Sequence, residues 1–398
     1  MLSTLRARRL ALAALFFVPG VGIASWVTRT PDIRDLLSAS TAEMGLVLFG
    51  LSLGSMVGIL SSGPLVARLG ARPVIAVGAA GIVLSMPVIG LGAAAGSAIA
   101  VAVGLFLFGA GMGGGEVAMN VEGADVERVA ERSFLPFLHG CFSLGTVVGA
   151  VIGIFATAAA FPVAWHLVLV GALALIAVVF AVPRLPAHTG RAAARHATPE
   201  AASARRALWK DSRLLLIGVI ILAMALAEGT ANDWLPLVMV DGHGFDAALG
   251  STIYAVFAAA MTIGRFAGGW FIERFGRPAV LCASGVFAAV GLALVIFVDN
   301  QIVAAAAVLL WGLGASLGFP VAISAAGDSG LDSAARVSLV ATAGYVAFLV
   351  GPPALGFVGD EFGLRAALLI PMAFAIVAAF VAPLIGDRRR ARALVEQR

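Results

Sequence analysis

The sequence predicts an all-α membrane protein with 12 transmembrane helices. Three observations predict it. Of 398 residues, 61% are hydrophobic and 12% charged, against roughly 45–50% and about 25% in an average soluble domain. Apolar runs recur along the chain, each long enough for the ~20 residues that a bilayer-spanning helix needs. Basic residues collect between alternate runs, as Lys and Arg do when held on the cytoplasmic side.

In order, the runs fall at 10–36, 42–64, 74–94, 98–121, 136–159, 163–182, 213–237, 247–271, 279–298, 302–326, 337–358 and 365–386. The basic start at Arg6, Arg8 and Arg9, followed by an apolar run and the small residues Gly22-Ile23-Ala24-Ser25, also fits a cleaved leader. A first span carries the same pattern, and eleven more follow. With the N-terminus inside, the cytoplasmic segments hold Arg68, Arg72, Arg128, Arg132, Arg184, Arg191, Arg195, Arg205, Arg206, Lys210, Arg213, Arg274, Arg277, Arg336 and the arginines from Arg388 onward. The other side holds only Arg29, Arg34 and Arg365. A multi-pass membrane protein with both termini cytoplasmic is expected. Residues 1–183 form a six-helix half, 184–212 a flexible or peripheral cytoplasmic linker, 213–386 a second half and 387–398 a basic tail.

Several function classes drop out. Topology accounts for the cations, so no nucleic-acid partner is expected. Cys141 and Cys282 lie in apolar runs without disulfide or zinc spacing, and the five histidines are scattered. Gly109-Ala110-Gly111-Met112-Gly113-Gly114 satisfies a dinucleotide pattern but lies inside a span and follows no strand, so it reads as helix packing. Gly50-Leu51-Ser52-Leu53-Gly54 has nucleophile-elbow spacing within a glycine-spaced span. A P-loop needs Gly-Lys, whereas the single lysine, Lys210, follows Trp209. An enzyme, a metal and a cofactor are not expected.

Chemistry then rests on polar groups inside the runs, since a charge at the bilayer centre costs about 2.5–3.5 kcal/mol on insertion scales and marks a pathway. Arg29 and Asp32 stand in the first run, Glu116 and Asn120 in the fourth, His139 in the fifth, Glu228, Asn232 and Asp233 in the seventh, and Asp328 near the end of the tenth. Glu116 follows three glycines and shares a helix face with Asn120 one turn on. A carboxyl there that is neutral in one state and ionised in another is what proton coupling requires. Glu116, Arg29, Asp32 and His139 are the proton-coupling candidates. His139, one turn before Ser143, can gate, relay protons or bond a neighbouring carbonyl. Glu228 and Asn232 share a face, with Trp234 placed near the outer interface and Asp233 either in the span or capping a loop. Trp311 and Tyr345, with Pro320 and Ser324, are placed along the second-half side of a cavity. Gly145, Gly149 and Gly153 predict close helix packing, and Gly351-Pro352-Pro353 a kink.

The two halves echo each other. Gly63-Pro64-Leu65-Val66-Ala67-Arg68-Leu69-Gly70-Ala71-Arg72 and Gly269-Trp270-Phe271-Ile272-Glu273-Arg274-Phe275-Gly276-Arg277-Pro278 place Gly, Arg and Gly at the same offsets. This repeat resembles the loop motif of the major facilitator superfamily, Gly-x-Leu-x-Asp-Arg-x-Gly-Arg-Arg. The resemblance implies the major facilitator fold: two six-helix halves around a central cavity, solute bound near the midplane, and alternating access. It assigns Gly63, Arg68, Gly70, Arg72, Gly269, Glu273, Arg274 and Gly276 to a cytoplasmic gate, with glycines allowing close packing and sharp turns and charges locking it. Ala67 replaces the acid in the first copy, whereas Glu273 keeps it in the second.

Glu116-x-Ala118-x-Asn120 is similar to the fourth span of the fucose-permease-like branch, where the glutamate is linked to proton-coupled sugar uptake. That branch carries a first-span acid where this chain has Val27, surrounded by Trp26, Arg29 and Asp32. Arg29 then reads as an anion anchor or as the partner of Glu116. Ala118-Met119-Asn120, Val126-Glu127-Arg128, His139 to Gly145, Glu228-Gly229 and Asp233-Trp234 resemble the bacterial bypass-of-stop-codon inner-membrane subgroup. The leading expectation is a monomeric, proton-coupled secondary transporter of a small polar solute, sugar-like or organic acid, contacting Trp26, Asn120, Glu228, Asn232, Trp234, Trp311 and Tyr345. A multidrug or metabolite exporter of the same fold and a non-transporting sensor or scaffold are the alternatives.

Overall fold

A computed structural model describes residues 2–130, 134–191, 208–328 and 333–386. Arg132, the linker from 192 to 207 with Arg195, Arg205 and Arg206, and the basic tail from 387 lie outside the described residues. All regular structure among the described residues is helical: α1 Leu2–Val27, α2 Thr30–Leu37, α3 Thr41–Leu69, α4 Ala71–Ala94, α5 Ala98–Ala130, α6 Leu135–Ala158, α7 Val163–Ala181, α8 Ser212–Leu237, α9 Ala247–Phe275, α10 Arg277–Phe297, α11 Gln301–Gly327, α12 Ser333–Phe362, α13 Leu364–Ala367 and α14 Leu369–Val381. Twelve of the helical stretches are long and apolar enough to cross a bilayer.

Helix starts follow local chemistry. Ser40 and Glu43 form a reciprocal capping box at α3, with Glu43 N donating to Ser40 Oγ at 3.2 Å and Ser40 N to Glu43 Oε2 at 2.9 Å. Asp211 caps α8 and Asn300 caps α11, each accepting a backbone N–H at 3.1 Å.

Several expected boundaries move. The first run divides: α1 ends at Val27, and the segment with Arg29 and Asp32 lies at the start of the separate helix α2, whose first turn holds Pro31. Proline favours a helix start and disfavours helix in the residue before it. The fourth run continues to Ala130 because its charged end is neutralised by Arg8, described below. The seventh ends in a π-helical turn, Val238–Gly242. The twelfth breaks after Ala367, the residue whose carbonyl the ring of Pro371 would meet in an unbroken helix. α12 continues through Pro352 and Pro353.

The chain forms two compact units, Met1–Arg195 with Asp246–Ala255, and His196–Phe245 with Val256–Arg398. The opening of α9 thus groups with the first unit, where Ser251 Oγ donates to Thr28 O at 2.7 Å. Lipid tails are as apolar as leucine, so helices associate in a bilayer through close packing of small residues. In the first unit a Cβ on Gly54 of α3 would collide with the carbonyl of Phe106 on α5, and one on Gly149 of α6 with the backbone of Val21 on α1. Backbones there touch directly, as the four-residue glycine spacing predicts.

The repeated loops turn alike. Gly70 (φ 91°) and Gly276 (φ 80°) hold positive φ at the same motif position, a conformation that favours glycine. Gly63 and Gly269 depart from expectation: a Cβ on either meets nothing within 4 Å, so close packing does not require them here. The described start of the linker is also fastened, because Ala71 N donates to Thr189 O at 2.8 Å and Arg191 Nε to Arg68 O at 3.2 Å.

Gly149→Ala should lower the thermal midpoint of the purified protein in detergent by the equivalent of about 1–3 kcal/mol, the usual scale for overpacking. Gly63→Ala, exposed on α3, should leave the midpoint unchanged or raise it. Equal midpoints for Gly149→Ala and wild type would contradict the backbone contact.

Candidate functional site

In the first unit, α5 carries Glu116 on a segment whose glycines pack against α3 and α4. Ser62 Oγ of α3 donates to Gly114 O at 2.8 Å, bracing the backbone two residues before Glu116. Glu116 is half-buried, and Asn120, also half-buried, lies one turn on. Asn120 Oδ1 is 3.2 Å from His139 Nε2 of α6, and the imidazole meets the Phe16 ring edge-on at 5.3 Å between centroids. His139 is exposed, and Ser143 Oγ turns back to donate to His139 O at 3.2 Å. Asn120 and His139, predicted separately, thus form one polar cluster.

Arg29 and Asp32 belong elsewhere. Arg29 Nε pairs with Asp32 Oδ2 at 2.8 Å, and Arg29 Nη2 donates to Phe161 O at 2.7 Å. Burial lowers the Arg29 pKa and raises that of Asp32, each against the opposing pull of its partner. The pair lies at the end of the unit where α5 begins. Glu116 is 18 residues along α5, ~27 Å at 1.5 Å per residue. Arg29 is therefore not the partner of Glu116. It fastens α2 to the α6–α7 loop.

At the other end, where the repeated loops lie, Arg8 of α1 pairs with two acids of α5, Glu122 at 2.5 Å and Asp125 at 2.7 Å, and Arg128 joins Asp125 at 2.5 Å. Glu122 is fully buried. In the second unit Arg277 pairs with Asp328 at 2.7 Å and donates to Ser324 Oγ at 3.0 Å. Glu122 and Asp328 are 206 residues apart, the same offset as the loops. Glu273 is exposed and forms no ion pair among the described residues, whereas Arg277, three residues beyond Arg274 in the motif, is the one that pairs with an acid, Asp328.

The middle of the second unit holds an ion pair, Arg265 Nη2 of α9 to Glu228 Oε1 of α8 at 2.9 Å. Trp311 Nε1 donates to Ala227 O at 3.0 Å, and the indole packs edge-on to Phe257 at 5.7 Å. Trp311 braces the turn that carries Glu228. It is fully buried and lines no open space. Trp26 and Trp234 are each 1% exposed, so neither reaches a headgroup layer or an open cavity in this structure. Asp233 is likewise buried within α8 and not in a loop. Asn232 and Tyr345 remain half-buried.

The family model described as Major Facilitator Superfamily matches residues 10–338. The chain belongs to the Major Facilitator Superfamily. It is 30% identical over 365 residues to an uncharacterized MFS-type transporter of Yersinia pestis, covering 90% of this chain and 92% of that protein. A point mutant of the nucleoside transporter NupG superposes with a TM-score of 0.79 at 16% identity, over 96% of this chain and 100% of that one. A point mutant of the E. coli fucose:proton symporter FucP superposes at 0.62 with 20% identity, over 95% and 98%. At these identities the structures establish the fold. The chain is a multi-pass membrane transporter of this superfamily.

Two charged features of this transporter escape sequence reading. Arg265 stands bare in Thr262-Ile263-Gly264-Arg265-Phe266, and an intramembrane arginine is itself the signal. Arg8 reads as a topology charge because its acids lie 114 and 117 residues away.

A further pair, Arg336 with Asp211, joins the start of α12 to the cap of α8. Burial alone would raise the Asp211 pKa, but hydrogen bonds from Arg336 and the Leu214 N–H outweigh it and hold the carboxyl below its usual value, about 3.9. The pair's stabilisation is therefore complete above pH ~4–5 and is lost as pH falls through the folded value. Thermal unfolding between pH 6 and 3 should show the wild-type advantage over Asp211→Asn shrinking as the pH drops. A constant difference across that window would contradict the assignment.

Proposed function

We propose that this transporter works by alternating access and couples the movement of a small polar solute, sugar-like or an organic acid, to protons. The observation that carries the reading is a half-buried carboxyl, Glu116, within a span and one turn from Asn120, which is bonded to His139. Few groups in a bilayer-spanning helix can change charge, and those that do are natural proton carriers. Glu116 takes and releases the proton. Asn120 and His139 link its helix face to α6, and the exposed imidazole supplies a second titratable group on that path. Arg29 and Asp32 act structurally. The fold shared with a fucose:proton symporter supports the reading.

Within the second unit the solute-contact candidates are Glu228, Asn232 and Tyr345; within the first, taken by itself, the candidate is Asn120. The ion pairs Arg8–Glu122 and Arg277–Asp328, beside the repeated loops, serve as gate charges. The distribution of arginines along the sequence supports a cytoplasmic position for each repeated loop and for both termini, in a bacterial inner membrane. The working unit is a monomer.

Glu116→Gln should abolish pH-gradient-driven accumulation in proteoliposomes by tenfold or more while solute exchange persists. Gradient-driven uptake equal to wild type in that variant would remove the coupling assignment.

A further inference from the structure

The pair Glu228–Arg265 lies at the middle of its spans, 16 residues into Ser212–Gly242 and 18 into Ala247–Phe275. α8 is an interior helix. Of its residues from Ala223 to Leu237, and on through Met239, only Glu228 and Asn232 escape full burial, and they are one turn apart on one face. The Glu228 side chain is 15% exposed and that of Arg265 42%. The arginine therefore keeps an accessible face beside an interior helix, and a guanidinium at midplane depth that holds its countercharge marks a pathway.

Arg265 carries five N–H donors in a planar fork. One interaction, from Nη2 to Glu228, is its only hydrogen bond among the described residues. Single-donor pairing leaves the fork edge that matches a carboxylate unused, and bidentate pairing with a carboxylate is the stronger arrangement. Asn232, an amide one turn from Glu228, adds a donor and an acceptor on the same face.

We infer that Arg265 is the anchor of an anionic solute, a small carboxylate that also bears hydroxyl or amino donors. The solute's carboxylate takes the guanidinium fork and displaces Glu228. Its hydroxyl or amino groups then donate to the freed Glu228 and to Asn232. Trp311, through Ala227 O, holds the turn of α8 so that the carboxylate of Glu228 stays opposite the fork. A neutral sugar cannot compete with Glu228 for the guanidinium, so this site selects acids over sugars. The inference rests on the transport reading and narrows its solute class.

The test is ligand-induced thermal stabilisation of the full chain in detergent, using gluconate, malate and glutamate, with sorbitol and glucose as neutral comparators. At least one carboxylate should stabilise wild type saturably while the neutral compounds do not. Arg265→Gln should weaken that binding tenfold or more. Arg265→Lys, which keeps the charge without the planar fork, should fold and bind with intermediate affinity. No stabilisation by any carboxylate, equal stabilisation by a neutral compound, or unchanged affinity in both variants would overturn the inference. Flux separates this from the coupling assignment: if pH-driven accumulation still depends on Glu116 while carboxylate binding ignores Arg265, only the solute class fails.

Discussion

Direct backbone contact between glycine-bearing helices is the constraint on which the first unit rests. Water does not drive lipid-embedded helices together, and unsatisfied polar backbone is not tolerated there, so packing geometry must do what hydrophobic burial does in soluble proteins. Gly54 and Gly149 permit α3 to meet α5 and α6 to meet α1 without intervening side chains. That closeness fixes the rotation of α5, and with it the direction of Glu116 and Asn120. It also brings α6 near enough for His139 to reach Asn120. The polar cluster is a consequence of where small residues lie.

Charge follows a second pattern in three places, where a cation within or beside the apolar layer keeps a partner acid. Removing one member of a buried pair leaves an uncompensated charge and typically costs about 3–5 kcal/mol. Arg8 with Glu122, Arg29 with Asp32 and Arg265 with Glu228 all follow it. Their roles differ with exposure. Arg8 and Arg29 are sealed and hold helices together, whereas Arg265 keeps much of its surface open. The same chemistry serves as cement in two places and as a receptor in the third.

The twelve helices were legible because a run of twenty apolar residues has few other uses, and the internal repeat because a glycine at positive φ leaves a fixed mark at Gly70 and Gly276. Glu116 and Asn120 were legible as a pair because helical spacing places them on one face. What the chain concealed was tertiary. Nothing local links Asn120 to His139 or Arg8 to Glu122. Proximity in sequence misplaced Arg29 and Asp32, since the break before Pro31 moves them out of the first span. Trp26, Trp234 and Trp311 misled for another reason: an indole fits a cavity wall and a packed core equally well, and only burial tells them apart.

The midplane pair also bears on how the chain is built into its membrane. The segment bearing Arg265 is among the least apolar of the twelve, and the arginine adds a penalty to its partitioning from the translocon. The preceding segment reaches the bilayer first and brings Glu228 with it. The two are best released into lipid as a hairpin, each carrying the other's counterion. During synthesis, therefore, the order of translation supplies the acid before the base that depends on it.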